Sequence, residues 1–307
     1  MPELPEVETT VRGIRKYVVG KKVADCWTDY GGDYHKGKDN IKDKTFFKNF
    51  RKTLMGTKII GADRRAKNVL IHFSNNHTIL IHMKMTGHIM YGHYIFDKKK
   101  SRDQWSAIDE GPLQDPFNRF IRFVITFSDN TQLVLSDMRK FAKVTLIKTN
   151  ELETSLHTEH LGPEPLTEKF NLEAFKERLS KRSTWPIKSA LMDQTLIAGI
   201  GNIYSDEILW RAGVHPESHF KAIPAKQISL IFKAMKETLK KGIDLGGDSM
   251  SDYRNIEGKK GEFQEHHQAY RRNKLPCKNK GCGGTIVRKI IRTRSAHFCD
   301  THQKLFV

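Results

Sequence analysis

The chain has 307 residues, with 53 Lys and Arg against 35 Asp and Glu, a net charge of +18 and 38% hydrophobic residues. The hydrophobic content excludes a disordered polycation, and the length favours about two domains. Such a charge suits a polyanionic partner, because Lys and Arg that neutralise phosphates release condensed counterions, although charge also serves solubility. Neither a run of 18 apolar residues nor a signal-peptide pattern is present, which predicts a cytoplasmic or nucleoid-associated protein without a membrane partner.

The first predicted element is a helix over residues 5–19. Pro5 suits its first turn, and Glu6 complements the positive end of the helix dipole. The apolar residues recur at helical spacing and line one face, formed by Val7, Val11, Ile14 and Val18. An amphipathic helix therefore begins the chain.

From about residue 22 to 148 the apolar period changes to two, which predicts a β-sandwich or barrel of roughly seven or eight strands. Cys26 is predicted to be a buried strand residue in this region. Residues 97–119 form an irregular insertion, and residues 34–44 carry extra charge. In the stretch FIRFVITF, one strand face is predicted to consist of Ile121, Phe123, Ile125 and Phe127.

The second half is predicted to be helical over residues 168–181, 184–194, 202–213 and 224–243. Between the second and third helices, Gly199 and Gly201 allow turns that a side chain would obstruct, and Asn202 is placed to cap the next helix. Amides at such a turn bind phosphate, although an ordinary corner between helices has the same pattern. The last helix carries a core-facing stripe of Ile228, Ile231, Phe232, Met235 and Leu239.

The last thirty residues contain a metal-ligand pattern, Cys277-x4-Cys282-x16-Cys299-x2-His302. Two knuckles joined by a hairpin suit one structural Zn²⁺, with ligand distances of roughly 2.0–2.3 Å. A module of ~30 residues cannot fold by burial alone, so the metal would supply its stability. His297 is an alternative fourth ligand, and free thiols in a basic tail are the alternative to a metal site. The hairpin bend is cationic, with Arg288, Lys289, Arg292 and Arg294.

Three segments together resemble one family over nearly the whole chain: PELPEVETTVRGI, LMDQTLIAGIGNIYSDEILWRAGVHP and the final run from Cys277 through RSAHFC. They are similar to the formamidopyrimidine-DNA glycosylases of base excision repair. The resemblance implies an α+β fold. Its expected parts are an N-terminal helix and β-sandwich (residues 2–150), a helix-two-turns-helix domain with a lesion-recognition loop (151–265) and a zinc finger (266–307). We expect a monomer that holds double-stranded DNA with oxidised bases or abasic sites in the cleft between domains.

The resemblance also implies a bifunctional glycosylase and AP lyase. After removal of Met1, the secondary amine of Pro2 would attack C1′ of the damaged nucleotide and expel the base, and β,δ-elimination would follow. Glu3 matches the catalytic acid/base and Glu6 a supporting carboxylate. Lys67 matches a hairpin lysine that contacts the phosphate beside the lesion, with a plain surface lysine as the alternative.

Other residues match the family's DNA contacts. Asn202 matches a phosphate-binding asparagine, and Arg294 matches a zinc-finger arginine that grips the lesion's phosphates. The residues that fill the void left by the extruded nucleotide are matched by Met85, Arg139 and Phe141. For Met85 and Phe141, strand core is the alternative.

The start ELPE and the Gly-rich residues 246–263 resemble the branch that excises oxidised purines, namely 8-oxoguanine and formamidopyrimidines. The alternatives are an endonuclease VIII-like glycosylase for oxidised pyrimidines and a non-catalytic zinc-finger DNA-damage binding protein. An RNA-binding zinc protein of ribosomal type would explain the charge and the cysteines but not the N-terminus. The first knuckle departs from the family pattern, because C-x4-C replaces C-x2-C.

Overall fold

The computed structural model describes residues 1–31, 39–101, 103–250 and 252–307, so part of the charged stretch at 34–44 lies outside the described residues. Contacts divide the chain into two compact units. The first comprises Met1–Glu159 with Gly246–Glu262, and the second comprises His160–Leu245 with Phe263–Val307. In the part of the chain that is described, no helix has the length and apolar character needed to cross a membrane.

This division differs from the predicted three parts: the N-terminal unit extends to Glu159 rather than to residue 150, it includes residues 246–262, and the cysteine-rich segment is not a separate unit. Residues 246–262 pack with the N-terminal unit because Ile256 is buried in its core, where the Cβ-less Gly13 makes room for it. The cysteine-rich segment packs with the helical unit, since its hairpin lies against the helix that begins at Asn202. Neither contact has a local sequence signal.

The N-terminal helix α1, Leu4–Tyr17, confirms the first predicted element. Its predicted apolar face is fully buried in the main core of the unit. Pro5 lies in the first turn, and the helix packs on strands β2 (Ile59–Arg65) and β3 (Asn68–Phe73). A second helix, α2 (Lys44–Leu54), begins at the capping side chain of Asp43 and was not predicted from the sequence.

The predicted β-sandwich is confirmed. Besides β2 and β3, the strands of this unit are β1 Val23–Thr28, β4 His77–His82, β5 His88–Gly92, β6 Tyr94–Phe96, β7 Trp105–Ala107, β8 Ile121–Phe127, β9 Gln132–Ser136 and β10 Lys143–Lys148. Two antiparallel sheets, with strand orders β1-β8-β9-β5 and β10-β4-β3-β2, contribute to one apolar core. Cys26 is buried on β1, as predicted.

One predicted strand face is wrong at a single position. Phe123, Ile125 and Phe127 point into the main core, but Ile121 joins a separate apolar cluster with Met90. The register between β8 and β9 shifts between Ile121 and Phe123, and an extra residue at such a bulge reverses the side-chain alternation.

The predicted insertion builds a small layer around that second cluster. Strands β6 and β7 form a hairpin, and two 3₁₀ turns follow at Pro112–Gln114 and Pro116–Asn118. Trp105 and Leu113 from this region pack with Trp27 against the cluster. The described residues of the insertion therefore belong to the N-terminal unit.

The second unit contains the four predicted helices, at α3 Leu172–Ser180, α4 Ile187–Met192, α5 Asn202–Ala212 and α6 Ala225–Asp244. The stripe on α6 is confirmed: four of its residues are buried, and Phe232 packs on the rings of Phe170 and Phe175. Strands β11 (Ile286–Ile291) and β12 (Arg294–Cys299) form the predicted hairpin.

Candidate functional site

The first feature of the candidate site is a buried pair of carboxylates at the start of α1. Glu3 is 2% exposed and Glu6 is 1% exposed. The Glu6 carboxylate accepts two backbone N–H groups, from Glu3 at 2.6 Å and from Asp248 at 2.7 Å. Pro2 is buried beside them, whereas Met1 is exposed. Two acids are thus fixed next to residue 2 by backbone donors.

The segment Gly246–Glu262 closes over this helix start. Gly247 has a φ of +87°, and a Cβ there would lie 2.8 Å from Cγ of Glu6, so only glycine fits. The Tyr253 hydroxyl donates to the Glu6 carbonyl at 2.8 Å, and burial raises the pKa of this tyrosine. Sequence reasoning placed a loop here but missed Asp248 and Tyr253, because their partner lies at the other end of the chain.

Clustered lysines form the second feature. Lys67, at the turn between β2 and β3, is 6% exposed, so the alternative of a plain surface lysine is wrong. Burial first, and then the charges of Lys84 and Lys67, lower the pKa of His82 to about 3. Burial and the charge of Lys143 also lower the pKa of Lys84. Cations held close enough for the charge of Lys143 to lower the pKa of Lys84 favour an anionic ligand.

The third feature is a set of exposed side chains on two loops of the same unit. Met85 and Phe141 are each 44% exposed, which rules out the alternative that they belong to the strand core. The guanidinium carbon of Arg139 lies 4.4 Å from the centre of the Phe141 ring. Exposed apolar side chains stacked with a cation are suited to insertion between bases.

Asp137 connects these two loops and was not predicted from the sequence. Its buried carboxylate accepts hydrogen bonds from the Tyr30 hydroxyl (2.9 Å), the Thr86 hydroxyl (2.5 Å) and the Ala142 amide (2.8 Å). The Thr86 oxygen in turn accepts the Arg139 amide at 3.2 Å. Asp137 therefore fixes the spacing of the Met85 loop and the Arg139 loop.

In the second unit, the predicted capping role of Asn202 is wrong. Gly201 occupies the N-cap position of α5 and Asn202 is the first helical residue. The Asn202 Nδ2 donates to the Ser295 hydroxyl at 3.5 Å, and the buried Oδ1 has no hydrogen-bond partner among the described residues. Gly199 adopts a φ of +92°, as the predicted turn requires. Arg294 is exposed at the start of β12.

The fourth feature is a candidate metal centre. Ligand atoms of Cys277, Cys282, Cys299 and His302 all lie within 4.8 Å of one another. The His302 Nδ1 lies 3.3 Å from the Cys277 sulfur, and the Nε2 of the same ring pairs with the Trp210 carbonyl at 3.0 Å. A carbonyl on the second ring nitrogen fixes the orientation of a metal-binding imidazole. Three sulfurs and one imidazole nitrogen suit tetrahedral Zn²⁺.

His297 does not belong to this cluster, which corrects its place as an alternative ligand. Its Nδ1 and its amide both pair with Asp206, at 3.1 and 2.9 Å. Asp206 also forms a buried ion pair with Lys188 of α4. This triad connects α4, α5 and β12 in the second unit, and sequence reasoning missed it.

The buried N-terminal carboxylate pair, the clustered lysines, the exposed Met85 and Phe141 and the Cys3His cluster agree with the features expected of the helix-two-turns-helix class of DNA repair proteins, and a family model of that class matches the chain. The family models "Formamidopyrimidine-DNA glycosylase N-terminal domain" and "Formamidopyrimidine-DNA glycosylase H2TH domain" match residues 1–144 and 161–254. The chain belongs to the formamidopyrimidine-DNA glycosylase family.

Individual relatives cover the whole chain. The formamidopyrimidine-DNA glycosylase of Pelotomaculum thermopropionicum is 33% identical over 99% of this chain and 100% of its own length. The formamidopyrimidine-DNA glycosylase of Bacillus subtilis is 34% identical over 97% of this chain and 98% of its own length. A solved complex of Lactococcus lactis Fpg with abasic-site DNA is 30% identical, covers 98% of this chain and 99% of that chain, and superposes with a TM-score of 0.79.

Proposed function

We propose that this protein is a bifunctional DNA glycosylase and AP lyase that excises oxidised purines. Membership of the formamidopyrimidine-DNA glycosylase family supports the glycosylase class. The observation that carries the proposal is the buried Glu3–Glu6 pair beside Pro2, in a chain of net charge +18. A capping box accounts for the spacing of the two acids, but it does not require them to be buried beside residue 2.

In the proposed mechanism, removal of Met1 frees the secondary amine of Pro2. An α-amino group titrates near ~8, so a neutral fraction is available for attack. The nitrogen forms a bond to C1′ as the bond from C1′ to the base breaks, and Glu3 supplies the proton that the departing base takes up. The sugar ring then opens as the amine loses its proton, the bond between C1′ and O4′ breaks and O4′ takes up a proton, which leaves an iminium at C1′ that makes the C2′ proton acidic. Its loss expels the 3′ phosphate, and a second elimination expels the 5′ phosphate.

Glu6 is a positioning residue in this scheme, because its carboxylate holds the amides of Glu3 and Asp248. We propose that Lys67, Asn202 and Arg294 hold phosphates around the lesion. The Asn202 Nδ2, whose bond to the Ser295 hydroxyl is long at 3.5 Å, supplies a donor for a phosphate oxygen at the helix start. Met85, Arg139 and Phe141 would fill the space that the extruded nucleotide leaves, which offsets an unstacking cost of a few kcal/mol.

We propose that Cys277, Cys282, Cys299 and His302 hold one structural Zn²⁺. The ion would stabilise the β11–β12 hairpin and so fix the position of Arg294 within its unit, and it takes no part in the chemistry. The four-residue first knuckle fits this role, since all four ligand atoms converge despite the wider spacing.

The preference for oxidised purines follows the names of the relatives and the ELPE start. An endonuclease VIII-like preference for oxidised pyrimidines is the second candidate. We expect the enzyme to act as a monomer on double-stranded DNA.

The proposal is tested by borohydride trapping on duplexes that contain 8-oxoguanine, thymine glycol or an abasic site, after mass spectrometry of the mature N-terminus. We expect loss of Met1 and a covalent adduct with 8-oxoguanine DNA. Pro2→Gly and Glu3→Gln should each lower the adduct yield at least ~10-fold. Glu173→Gln, an exposed carboxylate on α3, is the matched control and should trap as the wild type does.

The outcomes separate the candidates. Trapping with thymine glycol alone would replace the purine proposal with the endonuclease VIII-like one. Retained Met1 together with tight DNA binding and no adduct would identify a non-catalytic damage-binding protein. An undiminished adduct with the combined Pro2→Gly and Glu3→Gln changes would refute the proposed roles of Pro2 and Glu3.

A further inference from the structure

The insertion contacts the segment that closes over the carboxylate pair. We call residues Pro112–Asn118 the bracket and residues Gly246–Glu262 the closing segment; both belong to the N-terminal unit. Asp115 of the bracket accepts hydrogen bonds from Nε and Nη2 of Arg254, each at 3.2 Å. Arg254 is 1% exposed and its guanidinium lies 5.0 Å from the Phe117 ring. A cation this deeply buried needs its partner, so the pair fixes the closing segment to the bracket.

A second contact lies four residues further along the closing segment. Asn118 donates its Nδ2 to the Gly258 carbonyl at 3.3 Å, while its Oδ1 pairs with Nε2 of His88 at 2.9 Å. Gly258 has a φ of +78°, and a Cβ there would lie 2.8 Å from the Pro112 carbonyl. The backbones of bracket and segment therefore approach as closely as glycine allows.

The other end of the closing segment contacts the site. The Asp248 amide donates to Glu6 Oε1, and the opposite oxygen of that carboxylate accepts the Glu3 amide. Tyr253, the neighbour of Arg254 in sequence, donates to the Glu6 carbonyl. A continuous series of contacts thus runs from Asp115 through Arg254 and Tyr253 to Glu6, and from Glu6 to Glu3.

We propose that the bracket positions the closing segment on the N-terminal site, with Asp115, Asn118 and Arg254 as positioning residues for Glu6 and Glu3. The inference rests on the proposed glycosylase function. Ile256 attaches the segment to the unit through its buried side chain and through its carbonyl, which accepts the Tyr91 amide at 2.8 Å. The directional bonds of Arg254 and Asn118 hold the segment on either side of it, at residues 254 and 258. Misplacement of a supporting group by about 1 Å can cost on the order of 10²-fold in rate.

The test uses Asp115→Asn and Arg254→Met in the full-length protein, with Asp129→Asn as the matched control. Asp129 forms an ion pair with Lys21 in the same unit, and among the described residues this pair makes no hydrogen bond to the closing segment. We expect the single-turnover rate of 8-oxoguanine excision, at saturating enzyme, to fall about 10-fold or more in both variants. The Kd for an uncleavable abasic-analogue duplex should change less than ~3-fold, and the double variant should be no slower than either single one. Asp129→Asn should retain the wild-type rate.

Hydrogen exchange gives a readout that does not depend on activity. Amides of residues 246–258 should exchange faster in Asp115→Asn and Arg254→Met than in Asp129→Asn. Equal exchange in all three variants would overturn the inference. A loss of excision rate that is matched by an equal loss of DNA affinity or of folded protein would also overturn it. An inactive wild type would instead overturn the proposed function, and exchange would still decide whether the bracket holds the segment.

Discussion

Replacement of Lys188 by Met tests the buried triad of the second unit. The ammonium of Lys188 on α4 bonds one carboxylate oxygen of Asp206 on α5, and both side chains are almost completely buried. The other oxygen accepts the amide and the ring nitrogen of His297 on β12. Met keeps the length of the side chain but removes the charge, which leaves a buried carboxylate without its ammonium.

Removal of one partner from a buried ion pair costs about 3–5 kcal/mol, because the remaining charge keeps its desolvation penalty. For a unit of this size, 1 kcal/mol lowers the melting temperature by roughly 3–5 °C, so we expect a fall of about 10–20 °C. Differential scanning calorimetry and urea unfolding would measure the change. Lys181→Met is the matched control, since Lys181 pairs with Glu177 on the exposed side of α3 and should change stability by less than about 0.5 kcal/mol.

The double variant Lys188→Met with Asp206→Asn tests the cause. If the loss of stability arises from an uncompensated charge, neutralising the carboxylate should recover part of that loss. The double variant should then be more stable than the sum of the two single effects predicts. A Lys188→Met protein within about 1 kcal/mol of the wild type would refute the reasoning. Strictly additive effects of the two substitutions on the free energy of unfolding would also refute it.

Two further predictions concern pH and metal. Burial lowers the pKa of His88 to about 4, so the fold favours the neutral ring. The stability that depends on this neutral ring is fully present above the unfolded pKa of 6.5 and is lost as the pH falls towards 4. Between pH 7.5 and 5 the wild type should lose about 2 kcal/mol of unfolding free energy from this source. Urea unfolding should show a smaller loss over the same range for His88→Gln, and equal losses in the two proteins would contradict the prediction. Removal of bound metal with a chelator should expose the amides of β11 and β12 to exchange and weaken DNA binding about 10-fold or more, while the β-sandwich stays protected. Unchanged protection of the hairpin would show that the metal is dispensable.

The sequence was most informative where one periodic pattern decides burial. The apolar face of α1, the stripe on α6 and the alternation along β8 each reflect a single element against a single core. Ile121 is the exception that shows why. The bulge beside it arises from the pairing of β8 with β9, and nothing within the strand's own residues marks the shift.

The candidate site shows the same contrast between residues in local motifs and residues whose partners lie far along the chain. Pro2 and Glu3 lie in a short motif, so the resemblance assigned their roles residue by residue, and the spacing of three cysteines and His302 predicted the Cys3His set. Asp137 and Arg254 act through partners far along the chain: Asp137 reaches back to Tyr30, and Arg254 to Asp115. Contacts of this kind depend on the complete fold, and no local spacing predicts them.

The acidic start of so basic a chain has a physical explanation in these contacts. Glu6 lies in the first turn of α1, where the helix dipole favours negative charge, and two backbone amides bind its carboxylate. Hydrogen bonds from buried neutral amides are little affected by salt, whereas salt screens exposed charges, almost completely beyond the Debye length of about 10 Å at 0.1 M. Backbone donors therefore hold the Glu6 carboxylate in place over a range of salt concentrations. Because one of these donors belongs to the closing segment, the geometry of the acids depends on the insertion that holds that segment.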